Sequence, residues 1–371
     1  MSKSSTPGIH KRGKTWTAHI HWTDPHGKKQ QHKKGGFKTK KAAVNYRDQY
    51  RSEIQTGRRL GTSKIKLVDY LPKEWLPQRE VDLKQGTFRS YTIIVNTHII
   101  PHLGHLRLEE LNARRVESFY TQLQKNGAKG QRLPAGSGLS GKTVSNIAGV
   151  LNRAMRDAVR WGLIAMNPIT DARKPKKTSP EMKAWQPEEL GNFIAATRTD
   201  RQSGIWHLLA TTGMRRGEIL GLRWDDIDFN NNTLTIRRTR VRVGKEVFDE
   251  TPKSQASLRT INIDPQTVHA LRQQKARQAE ERLAIGGAWE DQLGYIATNR
   301  DGSLVDPHAV TRRFLVISKN AELPRIRLHD VRHSYVVAAR KAGVDVKTIS
   351  QRIGHADVNV TLTVYHHVFH E

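Results

Sequence analysis

The spacing of the apolar residues constrains the fold of this chain more than any other feature of its sequence. Between Thr15 and Trp22 the pattern alternates with period two and is rich in β-forming residues, which predicts a strand, and a second strand is expected from Lys29 to Lys34. The pair Gly35-Gly36 breaks the chain again, and Phe37 begins a third short segment. From Lys40 to Thr56 the spacing becomes helical. The start of the chain is therefore predicted to fold as a three-stranded sheet with one helix.

Helical spacing dominates the next region, residues 61–172. Apolar stripes recur there every three or four residues, the longest of them between Ser140 and Leu163. Another runs from Thr87 to Ile99, and we expect Pro101 to end that helix, because proline lacks the N–H that a helix needs. These stripes predict a compact helical bundle. Residues 171–180, DARKPKKTSP, are polar, cationic and contain proline, which is typical of a linker.

The remaining residues mix amphipathic helices with short strands. Strands are expected at Thr233–Arg240, Lys245–Thr251 and Arg259–Ile263. The predicted fold class is a multidomain protein, mainly α with small β-sheets. Its domains are an N-terminal sheet with one helix, a helical domain and an α+β domain, at residues 1–60, 61–172 and 173–371, where residues 173–180 belong to the linker.

The charge of the chain indicates its partner. The sequence has 63 Lys and Arg against 35 Asp and Glu, a net charge of +28, and residues 1–60 alone hold 15 basic and 3 acidic residues. Such an excess repels itself in a compact chain unless a polyanion neutralises it. Nucleic acid is the expected polyanion, with an anionic membrane surface as the alternative. Because no apolar run is long enough to span a bilayer and the sequence has neither a signal-peptide pattern nor a cysteine, we expect a cytoplasmic protein without disulfides or thiol-held metal.

The basic residues best suited to DNA contacts lie in the N-terminal region, the helical region and the linker. They are Lys28, Lys29, Lys33, Lys34, Lys38, Lys142, Arg153, Lys174, Lys176 and Lys177. A small sheet with a basic face can lie in a groove of DNA, and a cationic linker can cross one and let two domains close as a clamp. Plainer interpretations stay open: residues 1–60 as a basic solvated tail, and the linker as an ordinary surface connection.

Four separated segments after the linker carry cationic or proton-transfer groups. In the first, Gly213 permits a sharp turn, so that Arg215 begins the next helix and Glu218, three residues on, can hold its guanidinium. A surface ion pair is the alternative, and the neighbouring Arg216 competes for the role of Arg215. In the second segment Lys253 lies between two strands, at the expected tip of a hairpin, where a lysine is ordinarily solvated.

The third and fourth segments come later in the sequence. His329 and Arg332 are three residues apart, hence on one face of a helix, and they combine a proton carrier with a side chain that clamps two phosphate oxygens. His355 follows Gly354, and Tyr365 comes ten residues after His355. Taken singly, a structural histidine and a packing tyrosine are the plainer interpretations.

In this order and spacing the four segments resemble the signature of the tyrosine recombinase and integrase family. That signature is an Arg in a Thr-Gly-x-Arg turn, a β-hairpin Lys, His-x-x-Arg, Gly-His and then a nucleophilic Tyr. The matching residues are Arg215, Lys253, His329, Arg332, His355 and Tyr365. Residues 61–170 also look like the core-DNA-binding, SAM-like helical domain of the family, and residues 1–60 look like the arm-site-binding domain of its phage and integrative-element members.

The resemblance implies a metal-independent and ATP-independent enzyme that breaks and rejoins DNA through a 3′-phosphotyrosyl intermediate. Tyr365 would attack the phosphodiester, and His329 would assist the transfer of its proton. Lys253 would protonate the leaving 5′-oxygen, and His355 would hydrogen-bond the phosphate. The two arginines of the signature would bind the non-bridging oxygens, with Glu218 orienting the site. No cofactor and no metal are expected.

The expected partner is double-stranded DNA, at core and arm attachment sites, bound by a homo-tetramer. Such an integrase would insert or excise a phage or mobile element, and a DNA-bending protein and an excisionase are candidate accessory partners. Two other functions stay open: a topoisomerase of type IB, which shares the chemistry, and a non-catalytic architectural DNA-binding protein. The basic N-terminal region argues against the first, and the complete set of signature residues argues against the second.

Overall fold

The computed structural model describes residues 7–23, 29–55, 64–128, 136–176, 183–251, 258–354 and 357–364. The chain forms two compact units, residues 1–179 and 180–371. The first holds the N-terminal sheet and the helices that follow it, and the second holds the later helices and strands. A mainly helical fold with small antiparallel sheets confirms the predicted class. Within the described ranges, no helix combines the length and the apolarity that crossing a membrane requires.

Three antiparallel strands and one helix form the N-terminal region. They are β1 (Ile9–Arg12), β2 (Thr15–Thr23), β3 (Lys29–Phe37) and α1 (Lys40–Gln55), with β2 in the centre of the sheet. The prediction of a third strand after Gly35-Gly36 is wrong, because β3 continues through both glycines to Phe37 and the third strand is β1. A register irregularity between Trp16 and Ala18 absorbs one extra residue of β3, so the pairing of β2 with β3 continues across it.

One face of this sheet is covered by α1. Ala18 and Ile20 are fully buried there. The ring of His32 stacks on Tyr50, with 4.4 Å between the ring centroids, and its Nε2 lies 3.0 Å from the hydroxyl of Tyr46. Aromatic and apolar contacts therefore fix the helix on this side of the sheet.

The opposite face carries several of the basic residues of the strands. Because side chains alternate along a strand, the residues between those buried under α1 point to the other side. They include His10, His19, His21, Lys29 and Lys33, which we call the open face. His19 is paired opposite Lys33, and the rings of His10 and His19 are 4.9 Å apart. Histidines and lysines therefore share one surface.

Helices and single helical turns form most of the described part of the first unit after α1. They are α2 (Leu67–Asp69), α3 (Leu76–Asp82), α4 (Gln85–Ile94), α5 (Ile100–Leu103), α6 (Ala113–Asn126) and α7 (Gly141–Arg160), with π-helical turns at Tyr70–Trp75 and Val95–Ile99 and a 3₁₀ turn at Leu108–Glu110. Two of the helices begin with a side-chain cap: Asn112 accepts from the N–H of Arg115 at 3.0 Å, and Ser140 from that of Thr143 at 3.2 Å.

The prediction that a helix ends before Pro101 is wrong, because the helical path continues to Leu103. The turn before the proline is π-helical: the N–H of Ile100 bonds to the carbonyl of Val95, five residues back. Pro101 then takes one of the first positions of α5. A helix tolerates a missing N–H at its start, so the proline is accommodated without a break.

The core of this helical region is built on α7. Val144, Ile147 and Leu151 of its predicted apolar face are fully buried. Two buried polar groups tie the first helices to α7: the indole of Trp75 donates to Asp157 at 2.8 Å, and the hydroxyl of Tyr70 donates to the carbonyl of Ala154 at 2.8 Å. Each of these buried donors thus has a partner, as burial requires.

The second unit surrounds its helix α9 with helices and two small sheets. Its elements are α8 (Pro187–Ala196), α9 (Ser203–Thr212), α10 (Arg216–Leu220), β4 (Ile227–Asp228), β5 (Thr233–Ile236), β6 (Thr239–Val243), β7 (Glu246–Glu250), β8 (Arg259–Asn262), α11 (Pro265–Ile285), α12 (Pro307–Asn320), α13 (Asp330–Lys341), α14 (Val346–Ile353) and α15 (Val358–Val364). α9 lies in the core, where Trp206 and Leu208 are fully buried, and α11 and α13 pack against it.

The strand predicted for Thr233–Arg240 is wrong in its middle, because Arg237 and Arg238 separate β5 from β6. Both arginines donate to the carboxylate of Asp226, each at 2.7 Å. That carboxylate is almost completely buried, and a buried charge needs such partners. Among the described strands β5 pairs with β4 and β8, whereas β6 pairs with β7, so the break divides these strands between two sheets.

Candidate active site

The site is organised by the turn that follows α9. Gly213 adopts the left-handed conformation with a φ of 63° and ends the helix, as the sequence predicts. A Cβ atom on this residue would lie 2.4 Å from Cδ1 of Tyr335 and 2.9 Å from Cγ2 of Ile353. Both the backbone angle and the close packing therefore require glycine here, and the turn places Arg215 at the start of α10.

Arg215 is held on one side by Glu218, in the predicted pairing. The carboxylate accepts from Nη1 of Arg215 at 2.7 Å and from its backbone N–H at 3.0 Å. Nη2 donates to the carbonyl of Gly354 at 3.2 Å, next to His355 in the sequence. The side chain of Arg215 is 38% exposed and that of Glu218 only 2%. The guanidinium is thus fixed from the protein side and accessible from the solvent side.

Glu218 also binds a second arginine that the sequence analysis did not single out. Nη2 of Arg259, on β8, lies 3.1 Å from the carboxylate. Burial by itself raises the pKa of Glu218, but Arg259 and Arg215 outweigh it and hold the pKa below its ordinary value. Glu218 is therefore ionised at neutral pH. No sequence pattern marks Arg259, since a charged residue at the start of a strand is ordinarily solvated.

Arg332 approaches the same turn from α13. Its side chain crosses to the carbonyl of Gly213, to which Nη1 donates at 2.8 Å. Arg332 is only 3% exposed. Gly213 and Arg332 are 119 residues apart in sequence, and the accepting carbonyl lies two residues before Arg215. The structure thus brings the first and third predicted segments together.

His329 precedes α13 as its N-terminal cap residue. Although part of the residue is accessible, desolvation and then the positive charge of Arg332 lower the pKa of its imidazole. The ring makes an edge-on contact with His333, whose pKa is lowered to about 4, chiefly by burial. At neutral pH His329 is therefore uncharged, which is the form that accepts a proton.

Arg216, the competitor of Arg215, is directed elsewhere. Its Nη1 donates to the carbonyl of Pro307 at 3.0 Å and to the hydroxyl of Thr311 at 2.6 Å. Both partners belong to α12. Arg216 therefore fastens α10 to α12, whereas Arg215 and Arg332 meet at the Gly213 turn.

Three predicted site residues, Lys253, His355 and Tyr365, lie outside the described residues, and only their flanks can be placed. The described strands on either side of Lys253 are paired with other strands, β7 with β6 and β8 with β5, and the predicted hairpin tip itself lies outside the described residues. His355 follows the end of α14 at Gly354. α15, which packs against α14, ends at Val364 directly before Tyr365.

The predicted DNA-contact residues fall into different settings. Those that are exposed are Lys29, Lys33, Lys34, Lys38, Lys142, Lys174 and Lys176, whereas Arg153 is half-buried; Lys28 and Lys177 lie outside the described residues. Lys34 differs from its neighbour Lys33, because its ammonium lies over the ring of Tyr46, 4.5 Å from the centroid, on the side of α1. Lys33 lies on the open face.

Three family models match successive parts of the chain. The model described as the phage integrase family covers residues 183–371. The chain belongs to the phage integrase family. An arm DNA-binding domain model covers residues 9–54, and the model of a phage integrase N-terminal SAM-like domain covers residues 68–124. The predicted family, the tyrosine recombinases and integrases, is thereby confirmed, and this member is an enzyme.

The matches to named relatives cover most of the length of this chain. A tyrosine recombinase XerC-like protein of Caldanaerobacter subterraneus subsp. tengcongensis is 26% identical over an alignment of 349 positions, and the match covers 89% of this chain and 86% of that protein. The ICEBs1 integrase of Bacillus subtilis is 27% identical over 333 residues, 89% of this chain and 87% of that one. Both matches therefore cover most of this chain and most of the relative.

Solved structures share the fold. The integrase of transposon Tn1549 in complex with a circular intermediate DNA has a TM-score of 0.67 and 19% identity, covering 81% of this chain and 94% of that one. A lambda integrase tetramer bound to a Holliday junction has a TM-score of 0.57 and 17% identity, covering 96% and 97%. These likenesses support the fold of the integrase family for both units.

Proposed function

We propose that this chain is a site-specific integrase that cuts and rejoins DNA strands through a covalent 3′-phosphotyrosyl bond to Tyr365. The observation that carries the proposal is the meeting of Arg215 and Arg332 at one glycine turn, with the uncharged His329 one helical turn before Arg332. Two fixed guanidinium groups suit the non-bridging oxygens of a phosphodiester, whose negative charge increases during attack.

Each bond change in the proposed reaction has a residue assigned to it. The phenolic oxygen of Tyr365 attacks phosphorus while the bond from phosphorus to the 5′-oxygen breaks, and His329 assists the departure of the phenolic proton. Lys253 gives a proton to the leaving 5′-oxygen, and His355 hydrogen-bonds the phosphate. Glu218 orients Arg215 and does not react. Because the phosphotyrosyl bond conserves the energy of the broken linkage, attack by a 5′-hydroxyl reverses the step and joins the strands.

The N-terminal region is proposed to bind a second, separate DNA site. Its match to an arm DNA-binding domain and the basic residues on its open face support this role. In this proposal the boundaries of the three domains are residues 1–60, 61–172 and 173–371, and the helical domain and the second unit grip the core site. The bivalent arrangement also favours an integrase over a relaxing topoisomerase, which needs no second site.

Assembly and accessory partners are proposed by likeness. The lambda integrase structure is a tetramer bound to a Holliday junction, and we propose that four copies of this chain act together on two DNA duplexes. A DNA-bending protein and an excisionase are the accessory partners in this scheme, and phage or mobile-element ends are its substrates. Pull-down of the chain on cross-shaped DNA, with mass measurement of the complex, tests the stoichiometry.

The decisive experiment uses a core site with a nick close to the cleavage position. Cleavage then releases a short strand that cannot rejoin, so the covalent adduct accumulates and is seen on a denaturing gel. The wild-type chain should form the adduct, and Tyr365→Phe should bind the same DNA without forming it, because the nucleophilic oxygen is missing. Adduct that persists in Tyr365→Phe would contradict the assignment of the nucleophile.

A footprint of the full-length chain tests the second DNA site. We expect two separate protected regions on DNA that carries both a core and an arm sequence. Protection of a single region would argue against bivalent binding and would favour the topoisomerase-like alternative.

A further inference from the structure

Arg259 occupies a position in the site that strand formation alone does not explain. It opens β8, and its side chain is only 9% exposed. Nη2 binds the carboxylate of Glu218 at 3.1 Å, and Nε donates to the carbonyl of Arg352 at 2.7 Å. One guanidinium therefore joins the glutamate behind Arg215 to the last turn of α14.

The same last turn is also bound by Arg215 itself, through the carbonyl of Gly354 at 3.2 Å. Arg215, Glu218 and Arg259 thus form a chain of contacts that closes on α14, with two arginines bound to one end of that helix. Movement of Glu218 would have to break contacts on both sides. The carboxylate is consequently a fixed support for the guanidinium of Arg215.

Charge gives Arg259 a second effect. Glu218 is ionised and lies 2.7 Å from the guanidinium of Arg215, so this pair alone would be close to neutral when viewed from a bound phosphate. With Arg259 included, the three side chains carry one net positive charge. The negative charge of Glu218 then does not cancel the positive field of Arg215. This effect is largest where water is excluded, because electrostatic interactions are less screened there.

We propose that Arg259 is a positioning residue for the cleavage reaction: it offsets the charge of Glu218 and ties that carboxylate to α14, so that Arg215 keeps both its orientation and its positive field for the phosphodiester. The inference rests on the proposed function. It adds a residue from outside the signature and a role that is separate from DNA affinity, since the guanidinium of Arg259 is directed to Glu218 and to the carbonyl of Arg352.

The test measures the single-turnover rate constant of adduct formation on the nicked core site at saturating DNA, with the full-length chain. Arg259→Gln should lower this rate constant about 10- to 100-fold, since small misplacements at a reacting centre have effects of that size. Its affinity for DNA should stay within about 3-fold of the wild type, because the guanidinium of Arg259 is directed to Glu218 and to the carbonyl of Arg352 and is assigned no contact with the DNA backbone. Arg259→Lys, which keeps the charge, should recover most of the rate.

A double variant separates charge from packing. In Arg259→Gln the carboxylate of Glu218 cancels the positive charge of Arg215. In Glu218→Gln/Arg259→Gln the negative charge is gone, while the amide oxygen can still accept a hydrogen bond from Arg215. We therefore expect the double variant to cleave faster than Arg259→Gln alone. A purely structural role for Arg259 predicts the reverse, because the double variant loses two sets of contacts.

The matched control is Arg201→Gln. Arg201 also pairs with a carboxylate, that of Glu281, at 2.6 Å from Nε, but it lies beyond the other end of α9. Its loss should leave the rate constant within about 2-fold of wild type, since it supports no group at the turn. Because the rate constant does not depend on how much chain is folded, a loss of stability lowers the amount of adduct and not its rate of formation.

The outcomes also separate this inference from the proposed function. A wild-type chain that forms no adduct would overturn both. Adduct formation by the wild type together with an unchanged rate constant in Arg259→Gln would overturn the role of Arg259 alone. So would a double variant slower than Arg259→Gln, or a failure of Arg259→Lys to exceed Arg259→Gln.

Discussion

Around the Gly213 turn the charged side chains are held by hydrogen bonds to groups inside the protein, whereas on the open face of the N-terminal sheet they extend into solvent. Arg332 and Glu218 are almost completely buried, and Arg215 has the carboxylate of Glu218 at 2.7 Å. Lys29 and Lys33 are exposed on strands of the sheet. Cationic side chains are therefore fixed at the turn and exposed to solvent on the open face.

The difference corresponds to two tasks. A guanidinium that is oriented during folding loses little freedom when it meets a phosphate and acts in a drier environment, which suits the stabilisation of one reacting group. An exposed lysine stays mobile and is screened by salt, which suits attraction to the long and repetitive backbone of DNA. We therefore expect changes at the turn to affect rate and stability, and changes on the open face to affect affinity.

The largest effect is expected at Arg332. Arg332→Ala removes a fixed donor near the reacting phosphate, so the rate constant of adduct formation at saturating DNA should fall about 1000-fold. DNA affinity should change little. The control is Lys33→Ala on the open face, which should bind arm DNA more weakly but cleave a bound core site at the normal rate. Equal effects of the two variants on the rate constant would contradict the assignment of rate to the turn and of affinity to the open face.

Gly213→Ala should destabilise the second unit by about 3 kcal/mol or more, since it combines a strained φ with overlap of Cβ and the ring of Tyr335. Gly13 is a matched control in the other region. Its φ of 57° is also left-handed, but a Cβ would meet nothing within 4 Å, so Gly13→Ala should lose only about 1 kcal/mol. Hydrogen exchange read by mass spectrometry reports each unit separately, and equal losses would contradict the packing argument.

Acid should weaken the second unit through its histidine pair. The folded pKa of His333 is about 4, and that of His329 is also below the ordinary 6.5. Between pH 4 and 6.5 the unfolded chain binds more protons than the folded chain, because its histidines have the ordinary pKa. The stabilisation is therefore complete above pH 6.5. It is lost as the pH falls towards 4, by up to about 3 kcal/mol. Denaturation curves between pH 7 and 4 measure this slope. His333→Asn should flatten it, and an unchanged slope would exclude His333 as its source.

The smallest effect is expected from two neighbouring lysines on opposite sides of β3. Lys33→Ala should lower the slope of log affinity against log salt concentration by about 1 for arm DNA, because one phosphate contact is lost. Lys34→Ala is the control, since Lys34 lies over Tyr46 on the side of α1, and its slope should change less. Salt titrations of a labelled duplex measure both. Equal slopes would mean that the open face is not the DNA-binding surface.

Sequence patterns predicted the elements that local physics controls. The apolar stripe of α7 and the glycine end of α9 are both confirmed. Each depends on residues within a few positions of one another. The predictions failed where distant partners intervene: Arg237 and Arg238 leave the strand for a buried Asp226.

The sequence by itself determined the family of this chain and the kinds of side chain at its site, because the order and spacing of the signature residues can be recognised without any knowledge of the fold. Tertiary structure alone decided how those side chains are used. It brought Arg332 to the carbonyl of Gly213, sent Arg216 to α12 and set Arg259 behind Glu218. These are hydrogen bonds between residues 41 to 119 positions apart, which no local pattern encodes, since they form only once the core has brought helices and strands into contact.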